Sequence, residues 1–182
     1  AELQTAVNLW ISDNAAALVK YGGINTWDTA AIFDMSNLFA SKTTFNSDIS
    51  NWDVSNVTNM SNMFRSAELF NQPLNNWDVR NVTSMVGMFR YADAFQQPLN
   101  LWQLNSLDGT GGAGFMGNTG ALGAITYNLL DTLLNGWVID LAALQNNVTI
   151  SFGNSTFTAA GLTAKNILIN DKGWTITDGG QV

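Results

Sequence analysis

The chain contains no cysteine and no histidine. Without cysteine there is no disulfide, no thiolate nucleophile and no thiolate metal ligand. Without histidine the commonest general base and metal ligand is missing, and neither a Ser-His-Asp nor a Cys-His arrangement can be assembled. Charge is also scarce. Only 12% of residues are Asp, Glu, Lys or Arg, about half the usual share, so Asn, Ser and Thr must keep the surface polar. The net charge is −7, and the basic residues are scattered from Lys20 to Lys172. That argues against nucleic acid, because phosphate binding needs clustered Lys and Arg. No apolar run reaches the roughly 18 residues of a membrane span, so membrane insertion is not expected. Glu2 and Glu68 are the only glutamates, and the aspartates sit at repeated positions where a turn explains them. Paired acids for glycoside hydrolysis therefore have little support, and the expectation is a protein that is not an enzyme.

A hydrophobic content of 46% over 182 residues is ample for one core. The chain opens at Ala1-Glu2 rather than at Met and no signal peptide is read there, which suits either a mature secreted chain or a trimmed one. The expected location is extracellular or at a cell surface, with a virion surface as the alternative.

The middle of the chain is organised by a repeat. Phe70-Asn71, Trp77-Asp78-Val79, Asn81-Val82, Met85 and Met88-Phe89 restate Phe45-Asn46, Trp52-Asp53-Val54, Asn56-Val57, Met60 and Met63-Phe64 at a spacing of 25 residues. Trp27, Trp52, Trp77 and Trp102 form one series. Phe39, Phe64 and Phe89 form a second, and Phe45, Phe70 and Phe95 a third. Periods of this size predict a stacked solenoid. Leu74-x-x-Trp77-x-Val79 reads as a short strand, with Trp77 and Val79 two apart. Met85, Met88, Phe89, Ala92 and Phe95 read as a short helix or 3₁₀ segment. The expected fold class is an α/β solenoid, a leucine-rich-repeat-like stack of short parallel strands and short helices, with a helical N-terminal cap and a β-α C-terminal cap.

The expected boundaries are a capping helix over 1–23, repeats over 24–108, a Gly-rich junction over 109–124 and a closing segment over 125–182. Leu3, Ala6, Val7, Trp10 and Ile11 give the first helix one apolar face, Asp13-Asn14 kinks or re-caps it, and Gly22-Gly23 ends it. The junction lacks a Walker Lys-Ser/Thr pair and the strand–helix context of a nucleotide site, so a flexible or tightly turning connection is expected. Beyond it, a helix from Ile125 that ends near Asn135-Gly136, a strand over Val148–Phe152, a helix over 157–170 and a strand at Trp174–Thr177 are predicted.

The string Phe70-Asn71, Leu74, Trp77-Asp78-Val79, Asn81-Val82-Thr83, Met85 and Met88-Phe89 resembles the repeat of BspA-like leucine-rich-repeat bacterial surface proteins. The stretch around Gly173-Trp174 and Gly179-Gly180 is similar to the closing segment of such proteins. The resemblance implies a secreted or surface-displayed module that recognises protein or glycan, without a cofactor. Asn56 and Asn81 fall one place early for a conventional asparagine ladder.

Three sets of residues are candidates for chemistry. Asp28, Asp53 and Asp78 recur in one column, which could hold Ca²⁺, but Asx turns explain them better. Trp27, Trp52, Trp77 and Trp102, with Phe64, Phe89, Phe70 and Phe95, are read as core. A sugar-stacking platform is the minor alternative for the Trp series. Asn25, Ser50, Asn51, Asn75, Asn76 and Asn100 line the predicted strand face, where repeat proteins bind through residues free to differ between repeats. The alternative function is structural: a self-associating subunit of an extracellular or virion assembly, such as a filament, fibre or decoration protein.

Overall fold

The computed structural model describes residues 2–117 and 127–182, except for the side chains of 127–129. Two helices open the chain, α1 (Glu2–Ser12) and α2 (Asn14–Tyr21). The break between them comes from Asp13, whose carboxylate accepts the Ala16 N–H at 3.0 Å and starts a new helix as an N-cap. Gly22, at φ 74°, ends α2. After the middle of the chain come α3 (Tyr127–Trp137), a 3₁₀ segment (Val138–Ala143), β1 (Thr149–Ser151), α4 (Ala159–Lys172) and β2 (Thr175–Thr177). β1 and β2 pair in parallel, with Ile150 opposite Ile176. Thr158 caps α4 by accepting the Ala160 N–H, and Gly173 closes it in the left-handed region. The part of the predicted junction and closing helix that falls on 118–126 lies outside the described residues.

The expected α/β solenoid of leucine-rich-repeat type is not what forms. Among the described residues there are four α-helices and two strands, and none of them lies in the repeats. The chain is a small α-rich fold with an irregular, turn-built middle, in which only isolated bridges such as Asp34–Asn59 and Asn59–Ser84 occur. The physical reason is local. In the predicted strand, Trp77 N–H turns back to the Leu74 carbonyl at 3.0 Å and Val82 N–H to Val79 at 3.0 Å, so Leu74-x-x-Trp77-x-Val79 is a pair of turns. In the predicted helix, Gly87 and Tyr91 have φ of 63° and 61°. Asn37, Ser41, Asn62 and Ser66 hold the same positions at 56–60°. A left-handed residue at every fourth place stops an α-helix.

Those left-handed residues redirect the backbone donors. Met60, Asn62, Phe64 and Ser66 donate to the carbonyls of Ser84, Val86, Met88 and Arg90, at 2.8–2.9 Å. Met63, Arg65 and Ala67, which alternate with them, turn back three places within their own repeat. These donors thus find partners, and equivalent residues of neighbouring repeats are held side by side. The rings follow. Phe39, Phe64 and Phe89 lie parallel at 5.4 and 5.5 Å, and Phe45, Phe70 and Phe95 at 5.7 and 6.0 Å. Within each repeat the two rings sit 4.1 Å apart. Such ring pairs add about 0.5–1.5 kcal/mol each beyond burial. Phe115 and Phe152 carry the core on into the closing segment.

Candidate functional site

The predicted Asn-rich face divides in two. Asn25 and Asn75 are half-buried and hold the backbone of the next repeat: their Oδ1 atoms accept the N–H of Asn51 and Leu101, each at 2.9 Å. Asn25 Nδ2 also donates to Asp48, and Asn75 Nδ2 to Asn100 Oδ1 at 3.3 Å. Ser50 is half-buried beside Asp48, which accepts its N–H. Only Asn51 and Asn76 are exposed with side-chain amides that bond nothing among the described residues.

Asn76 borders a groove. A recess of about 350 Å³ runs from Asn76 and Arg80 to Leu101 and Gln103. Leu101 and Gln103 also line an adjoining cleft of about 170 Å³ that continues to Asn105, Ile139 and Asp140. Leu101 is 59% and Ile139 84% exposed, so two apolar posts stand among amides. The cleft exists because Gly136 lies against repeat four: a Cβ there would meet the Asn100 carbonyl at 2.2 Å. Ile139 and Asp140 escaped the sequence reading because the period ends before them, and Gln103 because it replaces the Asp of its column. The exposure of Leu101, an apolar residue in an otherwise polar column, was the available signal.

The Asp column is built into turns. Asp28, Asp53 and Asp78 accept the N–H two residues on, at 3.1, 2.9 and 3.2 Å. The Ser55 hydroxyl and N–H hold the Asp53 carboxyl below the usual carboxylate range, although the neighbouring charge of Asp78 opposes this. Hydrogen bonds from Arg80 do the same for Asp78, and the pairing raises Arg80 in turn. The Arg80–Asp78 contact is 2.6 Å. Among the described residues no three acidic side chains gather as a metal site would require.

The aromatic series stands almost wholly in the core. Trp52, Trp77 and Trp102 are buried, as are Phe64, Phe70, Phe89 and Phe95. Trp27 is only half-buried. Each buried indole N–H donates to a carbonyl of the preceding repeat: Trp52 to Ile24, Trp77 to Ile49 and Trp102 to Leu74. Two amide ladders went unread in the sequence or were discounted there. Asn46 Oδ1 accepts Asn71 N–H and Asn71 Oδ1 accepts Gln96 N–H, both at 2.9 Å. Asn56 and Asn81, despite their displaced position, donate to the Ala30 and Ser55 carbonyls. The Gly-rich stretch is close-packed at Gly111 and Gly112: a Cβ on Gly111 would lie 2.3 Å from the Thr83 carbonyl, and one on Gly112 2.8 Å from Ile150.

No helix among the described residues is long and apolar enough to cross a membrane. The family model described as "Mycoplasma protein of unknown function, DUF285" matches residues 10–115, more than half of the chain. No curated protein and no solved structure matches.

Proposed function

We propose that this chain, which belongs to the DUF285 family of Mycoplasma proteins of unknown function, is a non-enzymatic recognition module displayed at a cell surface or secreted, and that it binds protein or glycan through the groove beside Asn76. The observation that carries this reading is the groove itself: apolar posts at Leu101 and Ile139, spaced by the amides of Asn76, Gln103 and Asn105. An interface needs apolar contact at its centre and hydrogen-bonding groups around it. The Asn75 amide, which lines the recess, is committed to the Leu101 N–H, so one wall of the groove is tied to the fold by a residue that frames it. The likeness of the repeat to those of BspA-like surface proteins supports the same reading.

The test is a screen of the purified chain against glycans and extracellular matrix proteins, repeated with Asn76→Ala, Leu101→Asp and Ile139→Asp. Binding that these changes abolish, with the thermal midpoint unaltered, supports the groove. Binding that survives all three places the site elsewhere. Light scattering over a concentration series separates the assembly reading, since a structural subunit would form filaments or a defined oligomer.

A further inference from the structure

Where α1 and α2 meet the first repeat, a second recess, of about 320 Å³, opens beside Trp27. Trp27 heads the Trp series, but no earlier repeat covers its outer side. Trp10 and Tyr21 pack against it edge-on at 5.8 and 5.9 Å instead, and its ring is left half-exposed. Leu3 and Ile32 complete the apolar wall, and Glu2 and Asp28 bring carboxylates to it.

The polar groups of this recess decide what fits. Trp27 N–H is committed to the Gly22 carbonyl at 3.2 Å, and the Thr26 hydroxyl to the Gly23 carbonyl at 2.8 Å. Carboxylates only accept. One oxygen of Asp28 holds the Ala30 N–H at 3.1 Å, while its other oxygen and the whole of Glu2 bond nothing among the described residues. The lining therefore offers aromatic faces, aliphatic surface and acceptors, with the Tyr21 hydroxyl as its one uncommitted side-chain donor. A sugar hydroxyl needs partners of both kinds. An alkylated ammonium needs only what is present, because the faces of Trp and Tyr attract a cation. The geometry points to a binding site for a small organic ammonium ion, its methyl groups against Trp27 and its charge toward Glu2 and Asp28. Lys20, which does not itself line the recess, already holds its own ammonium 4.9 Å from the Tyr21 ring and so competes for that ring. The ion is either a free quaternary amine or a methylated lysine on a partner. This site is separate from the groove beside Asn76.

The experiment is an NMR titration with choline, reading the Trp27 indole N–H, which is assigned by its loss in Trp27→Phe. The expected result is a saturable shift. The uncharged isostere 3,3-dimethyl-1-butanol should bind about tenfold more weakly, as loss of the cation–π attraction requires. Asp28→Asn, which keeps the turn acceptor, should weaken choline about fivefold, and Lys20→Gln should tighten it. A trimethyllysine peptide run beside choline and an unmethylated peptide identifies the source: whichever of the two methylated probes is tighter names it. The site is overturned by no saturable shift at roughly 100 mM choline, two decades weaker than a millimolar site. Equal binding of the uncharged isostere, or an Asp28→Asn variant that binds choline unchanged, would also overturn it.

Discussion

Trp137 donates its indole N–H to the carbonyl of Leu99 at 3.3 Å, the same bond that Trp102 makes to Leu74 at 2.9 Å one repeat earlier. Trp174 repeats it once more, to Gln145 at 2.8 Å. The Trp series thus runs past the end of the 25-residue period into α3 and up to the edge of β2. Trp137→Ala should cost about 3–5 kcal/mol, as Trp77→Ala should, because both leave a large cavity. Trp→Phe at either position should cost about 1–3 kcal/mol, since the carbonyl loses its donor. Urea denaturation of the four variants checks this, and a neutral Trp137→Ala would separate the closing segment from the core.

Gly87→Ala should destabilise the protein by about 1–3 kcal/mol. Its φ is 63° and a Cβ would stand 2.7 Å from Asn62 Oδ1, so strain and collision add. Asn62→Gly, at the equivalent position with φ 56°, should fall within about 1 kcal/mol of the parent, because glycine tolerates the left-handed region. Thermal melts of both distinguish backbone strain from loss of side-chain packing.

The two classes of asparagine should separate by stability. Asn71→Ala leaves the Gln96 N–H without its acceptor and should cost about 1–3 kcal/mol. Asn76→Ala, exposed and unbonded, should stay within about 0.5 kcal/mol. Equal effects in denaturant titrations would remove the distinction on which the groove rests.

Acid should weaken the fold through Asp53 and Asp78. Both carboxyls lie below their usual range in the folded chain. Their contribution is therefore complete above the ordinary carboxylate range and is lost as pH falls through their depressed range. Asp53 is exposed and Asp78 half-exposed, so solvent screening keeps the effect small. Urea midpoints at falling pH should decline less steeply in Asp53→Asn and Asp78→Asn than in the parent. Unchanged slopes would mean that the turns hold without the charge.

In the closing segment Lys165 pairs with Asp178 at 2.8 Å, with side-chain exposures of 17% and 5%, and its ammonium lies 4.4 Å from the centroid of the Phe157 ring. Asp178→Asn should cost about 3 kcal/mol, because it leaves a buried cation unpaired. Lys165→Met in the same chain should recover most of that loss. Asn keeps the acceptor for Gly180 N–H, so failure of the second change to rescue the first, in a double-mutant cycle, would show that the ion pair with Lys165 is not what Asp178 contributes.

The sequence announced the period and most of the core. Phe64, Phe89 and Trp77 were legible because apolar residues held their spacing in every repeat, and that spacing survives any backbone that returns after 25 residues. The backbone itself was not legible. Spacings of 3 and 4 at Met85, Met88 and Phe89 fit a helix and a run of turns equally well, and only the φ of Gly87 and Tyr91 decides between them. Asn at 37 and 62 with Gly at 87 was the available sign, since these residues tolerate the left-handed region. The face was half legible: Asn75 and Asn76 are identical letters, and only the geometry separates the one that ties repeats together from the one that meets solvent. Ile139 and Trp137 were beyond reach as groove and core partners of repeat four, because nothing periodic links them to it.

The donors of Met60, Asn62, Phe64 and Ser66 all reach the immediately following repeat and go no further. For the folding chain this means that each of these bonds closes a loop of the same modest length, and loop-closure cost rises only slowly with length. No long-distance encounter must be awaited before the first favourable contact forms. Any adjacent pair of repeats can nucleate, and order then spreads outward by equal steps toward the two ends.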